Sequence, residues 1–192
     1  MPDDIAIVIL AGGRATRFPG KLEWTVDGDP MLLHVYRKAR ATQWPVVVAA
    51  RGSFGATIDA ALDCPISIDR WPGKGPLAGL ASACERIEQE RVFALAADMP
   101  KVEPFVVSAI VQAWQPGDEA VVPSHRDGIE PLAALYARAA LARETPALLA
   151  QPHASMHDLI DRLRARFVPL DQQYFLNVNS PEDVALLGET RA

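Results

Sequence analysis

Stretches of continuous apolar residues alternate along the chain with stretches of helical periodicity. The runs at residues 5–10, 45–50 and 91–97 lack polar alternation, which is typical of strands covered on both faces in a parallel sheet. Between them, residues 30–41 and 77–90 place apolar side chains at helical spacing. This rhythm of strand and helix predicts a doubly wound α/β fold.

The rest of the pattern completes this prediction. Further helices are expected at residues 54–62, 104–114, 137–149, 155–166 and 181–187, and further strands at 65–68, 120–122 and 167–170. Residues 130–136 fit either a strand or a helix. No repeat or linker interrupts the chain, so one domain spanning residues 1–192 is expected.

The first apolar run leads into a glycine pair and then a cationic loop. Gly12 and Gly13 allow a sharp turn and a close backbone approach to a ligand. Arg14, Arg17 and Lys21 follow within a few residues. Backbone amides and positive charge together form an anion-binding cradle, so a nucleotide polyphosphate is the expected ligand. A plain turn from strand to helix remains the alternative.

Two common glycine motifs do not fit this loop. The P-loop pattern fails because too many residues separate Gly13 from Gly20 and because Leu22, rather than a hydroxyl residue, follows Lys21. The dinucleotide fingerprint fails because no third glycine has the required spacing and because the second apolar run ends on Arg51 instead of an acid.

Two aspartates also follow predicted strands. Asp69 and Asp98 stand where the runs before them end, and the carboxyl ends of parallel strands form one edge with Gly12. A carboxylate beside phosphates requires a cation, and Mg²⁺ usually takes one or two carboxylates together with substrate phosphates. Asp98 is therefore the expected metal ligand, with a simple turn cap as the alternative. Asp69 either accepts hydrogen bonds from a nucleoside or caps its irregular loop.

Composition restricts the partners. A net charge of −5 over 192 residues argues against a nucleic-acid surface, so the positive loop is local and a small-molecule partner is expected. Cys64 and Cys84 have neither metal-ligand nor disulfide-framework spacing and are expected to be buried thiols. The acidic N-terminus and the absence of a long apolar run predict a cytoplasmic protein without membrane association.

The last predicted helix begins with a recognisable cap. Ser180 suits an N-cap, with Pro181 at the first helical position. Asn177 and Asn179 precede it and are not needed for capping. If this stretch is extended, both carboxamides lie on one face and Val178 points into the core. The pair either binds an acceptor or metal, or stabilises local turns.

Five segments in order resemble the molybdenum cofactor guanylyltransferases, a branch of the nucleotidyltransferases, over nearly the whole chain. The first is Leu10-Ala11-Gly12-Gly13 with Arg17 and Lys21. The others are residues 75–80 (G-P-L-A-G-L), 97–100 (A-D-M-P, similar to C-D-x-P), 130–136 (E-P-L-A-A-L-Y) and 177–183 (N-V-N-S-P-E-D). The resemblance implies a single-domain, Rossmann-like, three-layer α/β/α fold with a mostly parallel sheet, like that of the nucleotide-diphospho-sugar transferases.

The implied activity is Mg²⁺-dependent transfer of GMP from GTP to the phosphate of molybdenum-bearing molybdopterin, with release of pyrophosphate. The resemblance implies that Lys21, Arg17 and Asp98 are catalytic and that Asp98 binds Mg²⁺. The remaining expected ligand-binding residues are Leu10, Ala11, Gly12, Gly13, Asp69, Gly75, Pro76, Asn177 and Asn179. Transient contacts with other cofactor-biosynthesis proteins or molybdoenzymes are also implied.

The sequence departs from the family pattern in places. The loop before Lys21 is short and lacks the usual acid, Phe18 replaces a common Met, and Ala49 stands where a base-binding asparagine is expected. A related enzyme acting on a sugar phosphate or a cobinamide phosphate would share the cradle and Asp98. A nucleotide-binding module without catalysis is the other alternative, which the pairing of Lys21 with Asp98 disfavours.

Overall fold

The computed structural model describes residues 4–12 and 21–187, apart from the side chains of Lys21, Pro181 and Leu186. The strands are β1 (Ile5–Leu10), β2 (Thr25–Val26), β3 (Asp29–Pro30), β4 (Val46–Ala50), β5 (Ile66–Ile68), β6 (Arg91–Ala96), β7 (Ala120–His125), β8 (Gly128–Ile129), β9 (Ala133–Ala137) and β10 (Ala165–Pro169). The helices are α1 (Met31–Arg40), α2 (Ala56–Ala61), α3 (Pro76–Cys84), α4 (Pro104–Gln112), α5 (Arg138–Leu149), α6 (Met156–Ile160) and α7 (Pro181–Leu187). Short 3₁₀ helices span Lys21–Glu23 and Gln172–Phe175.

The central sheet has eight strands in the order β10-β7-β9-β6-β1-β4-β5, with β8 paired to β7. β5, β4, β1 and β6 are mutually parallel, as are β10 and β7. β9 runs antiparallel to both of its neighbours, β6 and β7. The expected fold class, an α/β/α sandwich with a mostly parallel sheet, is therefore confirmed.

Both faces of the sheet are buried, because successive strand residues point to opposite sides. From β1, Ile5, Ile7 and Ile9 pack in the cluster that contains residues of α1, α2 and α4. Ala6 and Val8 pack in the cluster that contains residues of α3, α5 and α6. Coverage by helices on both sides explains why β1 carries a continuous apolar run rather than an alternating one.

Most element predictions are correct to within a few residues, but one is wrong. A single helix was expected at residues 155–166, whereas α6 ends at Ile160 and β10 begins at Ala165. The main chain of β10 pairs in parallel with β7, and those ladder hydrogen bonds outweigh the local helical pattern. The helix expected at 77–90 is also too long, since α3 ends at Cys84.

The sequence pattern did not settle the structure of residues 130–136 and did not predict the hairpin of β2 and β3. The ambiguous segment at 130–136 contributes the antiparallel strand β9. The hairpin of β2 and β3 was not predicted, although its turn residues Asp27 and Gly28, both with positive φ, form the Asp-Gly pair that favours such turns. Of the helices that lie within the described ranges, none has the length and apolar character that crossing a membrane requires.

Candidate active site

The topology creates a crevice beside β1. The chain runs from β1 outward through β4 to β5 and then returns to the other side of β1 as β6. In open parallel sheets such a switch point leaves room for a ligand outside the carboxyl ends of the strands. A pocket of about 530 Å³ lies there, lined by residues that follow β1, β4, β5 and β6.

Main-chain hydrogen bonds hold these strand ends together. The amide of Ala11 donates to the carbonyl of Ala49 at 2.9 Å, and the amide of Ala97 donates to the carbonyl of Leu10 at 3.1 Å. On the outer side, the amide of Asp69 donates to the carbonyl of Ala50 at 2.9 Å. The floor of the pocket is therefore rigid backbone, continuous with the sheet.

One wall of the pocket is the start of α3. Gly75 precedes this helix with a φ of 74°, a left-handed conformation that suits glycine, and Pro76 takes the first helical position. One turn later, Gly79 also faces the pocket. A Cβ at Gly79 would lie 3.3 Å from Cδ2 of Leu10 and 3.5 Å from Cβ of Ala49. The glycine thus lets α3 pack closely against β1 and β4.

The loop after β4 supplies residues that the sequence analysis did not identify as part of the site. Residues 51–55 line the pocket, with Phe54 and then Ile58 of α2 forming an apolar side. Asp59 fixes this loop, since its carboxylate accepts hydrogen bonds from the Ser53 hydroxyl at 2.5 Å and the Phe54 amide at 3.0 Å. The available signal was positional, because the loop follows the carboxyl end of a central strand.

Other lining residues were also missed. Leu22 and Glu23 reach the pocket from the 3₁₀ helix that begins at Lys21, and Leu132 does so from the segment before β9. Ala49, the position where the family pattern has an asparagine, is buried at the end of β4 and also lines the pocket. Its side chain carries no polar atom, so any polar contact to a base on this side must come from other groups.

Asp69 both caps its irregular loop and lines the pocket. Its carboxylate accepts a hydrogen bond from the amide of Trp71 at 2.9 Å, which makes it a cap of the irregular loop. It also lines the pocket. Capping through one oxygen leaves the second oxygen's lone pairs for another donor, so the two roles are compatible.

Asp98 follows β6 and lines the pocket from the other side of β1. The loop that continues from it is held by α1, because Nζ of Lys38 donates to the carbonyl of Pro100 at 2.6 Å and to the carboxylate of Glu103 at 2.5 Å. His34, one turn earlier on α1, has its pKa lowered by burial and then by the charge of Lys38. The loop that begins at Asp98 is therefore held in place by hydrogen bonds from Lys38 of α1.

The segment at 177–183 contacts the main chain of Asp98. The amide of Val178 donates to the carbonyl of Asp98 at 2.9 Å, and the Val178 side chain is fully buried with Val26 and Met31. The expected N-cap is confirmed, since the Ser180 hydroxyl accepts from the amide of Asp183 at 3.2 Å. The expected burial of Val178 is confirmed as well.

A second, more polar cleft of about 1080 Å³ includes Asn177 of this segment. It is lined by Lys101, Ser124, His125, Arg126, Glu130, Pro169, Leu170, Asp171, Gln172, Gln173, Phe175, Leu176 and Asn177. Nε2 of His125 lies 2.9 Å from Oε1 of Glu130, and its ring stacks on Phe175 with centroids 6.1 Å apart. The amide of Asp127 donates to Nδ1 of His125 at 3.2 Å, so a neutral imidazole carries its proton on Nε2 and donates it to Glu130.

The structure brings seven of the expected residues to one pocket. These are Leu10, Ala11, Gly12, Asp69, Gly75, Pro76 and Asp98. Gly13 and Arg17 lie outside the described residues, and Lys21 is described only by its main chain. Asn177 lines the second cleft instead. The main-chain amide of Asn179 donates a hydrogen bond to the carboxylate of Asp183 at 2.7 Å.

The donor set restricts the kind of metal site. Within residues 4–12 and 21–187, no cluster of three or more His, Cys, Asp or Glu side chains could hold an ion. A site closed entirely by protein ligands therefore does not fit the pocket among these residues. A hard cation that takes one carboxylate and otherwise binds phosphate oxygens and water does fit Asp98.

Three known proteins are similar to this chain. A probable molybdenum cofactor guanylyltransferase of Bacillus licheniformis is 30% identical, with 92% of this chain and 93% of that protein covered. The crystal structure of molybdopterin-guanine dinucleotide biosynthesis protein A from Archaeoglobus fulgidus is similar, with a TM-score of 0.79, 26% identity and coverage of 96% and 97%. A Mycobacterium tuberculosis protein solved in complex with manganese shares the fold, with a TM-score of 0.73, 20% identity and coverage of 98% and 100%.

The sequence model of the MobA-like NTP transferase domain matches residues 7–167, which contain most of β1, all of β2 through β9 and most of β10. That range carries every residue that lines the pocket at the β1–β6 switch point. The resemblance seen in the sequence is confirmed, and the chain belongs to the family of MobA-like nucleotidyltransferases.

Proposed function

We propose that this nucleotidyltransferase transfers GMP from GTP to the terminal phosphate of molybdopterin bearing molybdenum, in an Mg²⁺-dependent reaction. The acceptor phosphate oxygen attacks the α-phosphorus of GTP, a new phosphoanhydride forms, and pyrophosphate leaves. One observation carries the proposal: the pocket at the switch point joins the Leu10–Gly12 backbone, the Gly75–Pro76 turn and Asp98. The naming of similar proteins as molybdenum cofactor guanylyltransferases supports the choice of substrates.

In this proposal the nucleoside lies along the β4 and α3 side of the pocket. Phe54 and Ile58 offer apolar contact to a base, and Asp69 and the main chain around Gly75 offer polar contact. Because Ala49 cannot hydrogen-bond through its side chain, we propose that the guanine edge is recognised by backbone groups in these glycine-rich turns. Backbone recognition would explain why the asparagine of the family pattern is dispensable here.

The triphosphate then lies over the backbone of Leu10, Ala11, Gly12 and Gly13, with Lys21 and Arg17 as the cations that balance its charge. Asp98 would hold Mg²⁺, which neutralises charge on the phosphate oxygens. A Mycobacterium tuberculosis protein of similar fold was solved in complex with manganese, which supports the use of a divalent cation. The acceptor approaches from the side of Asn177 and Asn179, whose segment bonds to Asp98 through Val178.

The two cysteines, which are unpaired in the structure, suit the reducing cytoplasm that we propose as the location of the enzyme. Burial raises the pKa of the Cys84 thiol to about 12, so this side chain stays protonated and unreactive at neutral pH. Contacts with other proteins of cofactor biosynthesis, or with molybdoenzymes that receive the product, remain part of the proposal.

The test compares GTP, ATP, CTP and UTP, each with Mg²⁺, by thermal shift. A ligand at 100 times its Kd stabilises the folded state by about 2.7 kcal/mol. For a domain of this size that corresponds to a rise in Tm of roughly 5–10 °C. We expect this rise with GTP and a much smaller one with the other three nucleotides.

Two ligand controls separate the contributions to binding. Guanosine reports the base and sugar alone, and pyrophosphate with Mg²⁺ reports the phosphate cradle alone. Equal stabilisation by all four triphosphates would contradict guanine selection. Absence of pyrophosphate release with GTP, Mg²⁺ and acceptor would contradict transferase activity and favour a non-catalytic binding module.

A further inference from the structure

The second cleft contains a carboxylate that the proposed function does not use. Glu130 precedes β9, its side chain is 16% exposed, and Nε2–H of His125 is directed at its Oε1. Among the residues that the structure describes, His125 is the one side chain that bonds this carboxylate. One carboxylate oxygen is thus held by the protein, and the other remains able to accept hydrogen bonds inside the cleft.

The His125–Glu130 pair is firmly positioned. The His125 side chain is only 8% exposed, stacks on Phe175 and receives the amide of Asp127 on Nδ1. The amide of Glu130 donates to the carbonyl of Pro123 at 3.0 Å, which ties the residue to β7. A partly buried carboxylate with one oxygen held by a ring N–H is suited to a ligand that presents further N–H groups.

Positively charged side chains also line the cleft. Lys101 lines it three residues after Asp98, on the loop that α1 braces, and Asn177 lines it next to Val178. The cleft therefore combines two cations, Lys101 and Arg126, with the carboxylates of Glu130 and Asp171. A ligand with a phosphate near Lys101 and a ring with adjacent N–H donors near Glu130 fits these groups.

We infer that Glu130, positioned by His125, binds the amino-pyrimidinone edge of a pterin-type acceptor, with the acceptor's phosphate toward Lys101. The inference rests on the proposed function, because a pterin phosphate is the acceptor in that reaction. The edge carries an exocyclic amino group beside a ring N–H, and a carboxylate is the complementary acceptor. Glu130 is thus a specificity-determining residue for the ring, and Lys101 is the corresponding residue for the phosphate.

The test uses stable, fluorescent probes and requires no turnover. Binding of 6-hydroxymethylpterin is followed by fluorescence anisotropy and compared with 6-hydroxymethyllumazine, in which an oxo group replaces the 2-amino group. Wild-type protein is expected to prefer the pterin by at least about 10-fold, the usual effect of one hydrogen bond to a charged group. Glu130→Gln is expected to remove most of this preference.

The control for Glu130→Gln is Asp127→Asn, which makes the same change of charge on a side chain that does not line the cleft. It should keep the pterin preference. Lys101→Met should weaken binding of 6-hydroxymethylpterin phosphate and leave the unphosphorylated pterin unaffected. The GTP-induced rise in Tm should be the same in all these variants, since none of the altered side chains lines the first pocket.

Equal wild-type affinity for pterin and lumazine, or no binding of either, would overturn the inference even if Glu130→Gln failed to fold. A pterin preference that survives in Glu130→Gln would overturn it too. Loss of the GTP response in Glu130→Gln would make the cleft part of the donor site, which also contradicts it. If GTP is not the donor, a different result is expected: all four nucleotides stabilise the protein equally, while the Glu130-dependent preference for pterin persists.

Discussion

The main-chain amide of Val178 donates a hydrogen bond of 2.9 Å to the carbonyl oxygen of Asp98. This bond joins the segment before α7 to the loop after β6, although eighty residues separate them in the sequence. The Val178 side chain is fully buried, so the contact is anchored by packing as well as by the hydrogen bond. The proposed metal ligand and the proposed acceptor segment are therefore parts of one rigid unit.

Replacing Asp98 with Ala or Asn should abolish Mg²⁺-dependent turnover, with a loss of at least about 10²-fold. The fold should persist, because Val178 bonds to the main chain of Asp98 and not to its carboxylate. Pyrophosphate release and circular dichroism measure the two outcomes. Asp161→Asn, an exposed charge change distant in sequence, is the control. Near-normal turnover at saturating Mg²⁺ would mean that Asp98 only shapes its turn.

Lys21→Ala should lower kcat by about 10²- to 10³-fold, the usual cost of removing one preorganised group that faces charge in the transition state. The Mg²⁺ dependence should change little. Steady-state kinetics with varied GTP measure both values, and Lys74→Ala, whose Nζ donates to the carbonyl of Gln151 outside the pocket, is the matched control. A rise in KM alone would assign Lys21 to ground-state binding of GTP.

Asn179→Ala should impair acceptor binding or catalysis more than GTP binding. The helix cap should remain, because the contacts of Ser180 and Asp183 use the main chain and their own side chains. The measurement pairs acceptor KM with the thermal shift induced by GTP. A lowered Tm with unchanged acceptor kinetics would identify the asparagine as turn structure.

Gly79→Val should weaken GTP binding and lower stability. Its Cβ would begin 3.3 Å from Cδ2 of Leu10, and further methyl groups would force α3 away from β1 or push Leu10 into the pocket. Overpacking of this kind costs about 1–3 kcal/mol. Urea unfolding and GTP thermal shift measure the two effects. Ala81→Val places a valine on the same helix but outside the pocket lining, and it should retain GTP binding.

Glu119→Gln should lower stability at neutral pH by about 1–3 kcal/mol, since a buried, charge-assisted set of hydrogen bonds is weakened. The carboxylate accepts the amide of Arg164 at 3.0 Å and pairs with Nη1 of Arg143 at 2.9 Å. The amide of Arg164 is the main cause that lowers the pKa of Glu119 below its ordinary value of 4.5, and Arg143 adds to it.

The sign of the pH dependence follows from that lowered pKa. The unfolded chain takes up the proton at a higher pH than the folded one, so the stabilisation is present above about pH 4.5 and is lost as the pH falls through the folded pKa. Wild type and Glu119→Gln should therefore converge in acid, as measured by urea unfolding at several pH values. Glu85→Gln, which removes an exposed pair with Arg70, should show little effect at any pH. A constant difference between wild type and Glu119→Gln down to pH 2 would contradict the assignment.

The sequence by itself determined the parallel core of the sheet and the edge where the first pocket lies. A continuous apolar run is typical of a strand that is buried on both faces, so the sequence predicted β1, β4 and β6 as central strands. Because these strands are parallel, the residues that follow them meet at one edge of the sheet. The Ser180 cap is local too. These features depend on residues close together in the chain, which is why the pattern was sufficient.

Tertiary structure decided what depends on distant partners. Residues 130–136 became a strand because β9 is flanked by β6 and β7. Residues 165 and 166 belong to β10 instead of the expected helix because β7 offered a free edge. The loop after β4 joined the pocket only because the topology reverses beside β1. The contact between Val178 and Asp98 and the cleft around Glu130 arise from packing across the whole fold. No local pattern encodes such contacts, since their free energy comes from surfaces that meet only after the chain has folded.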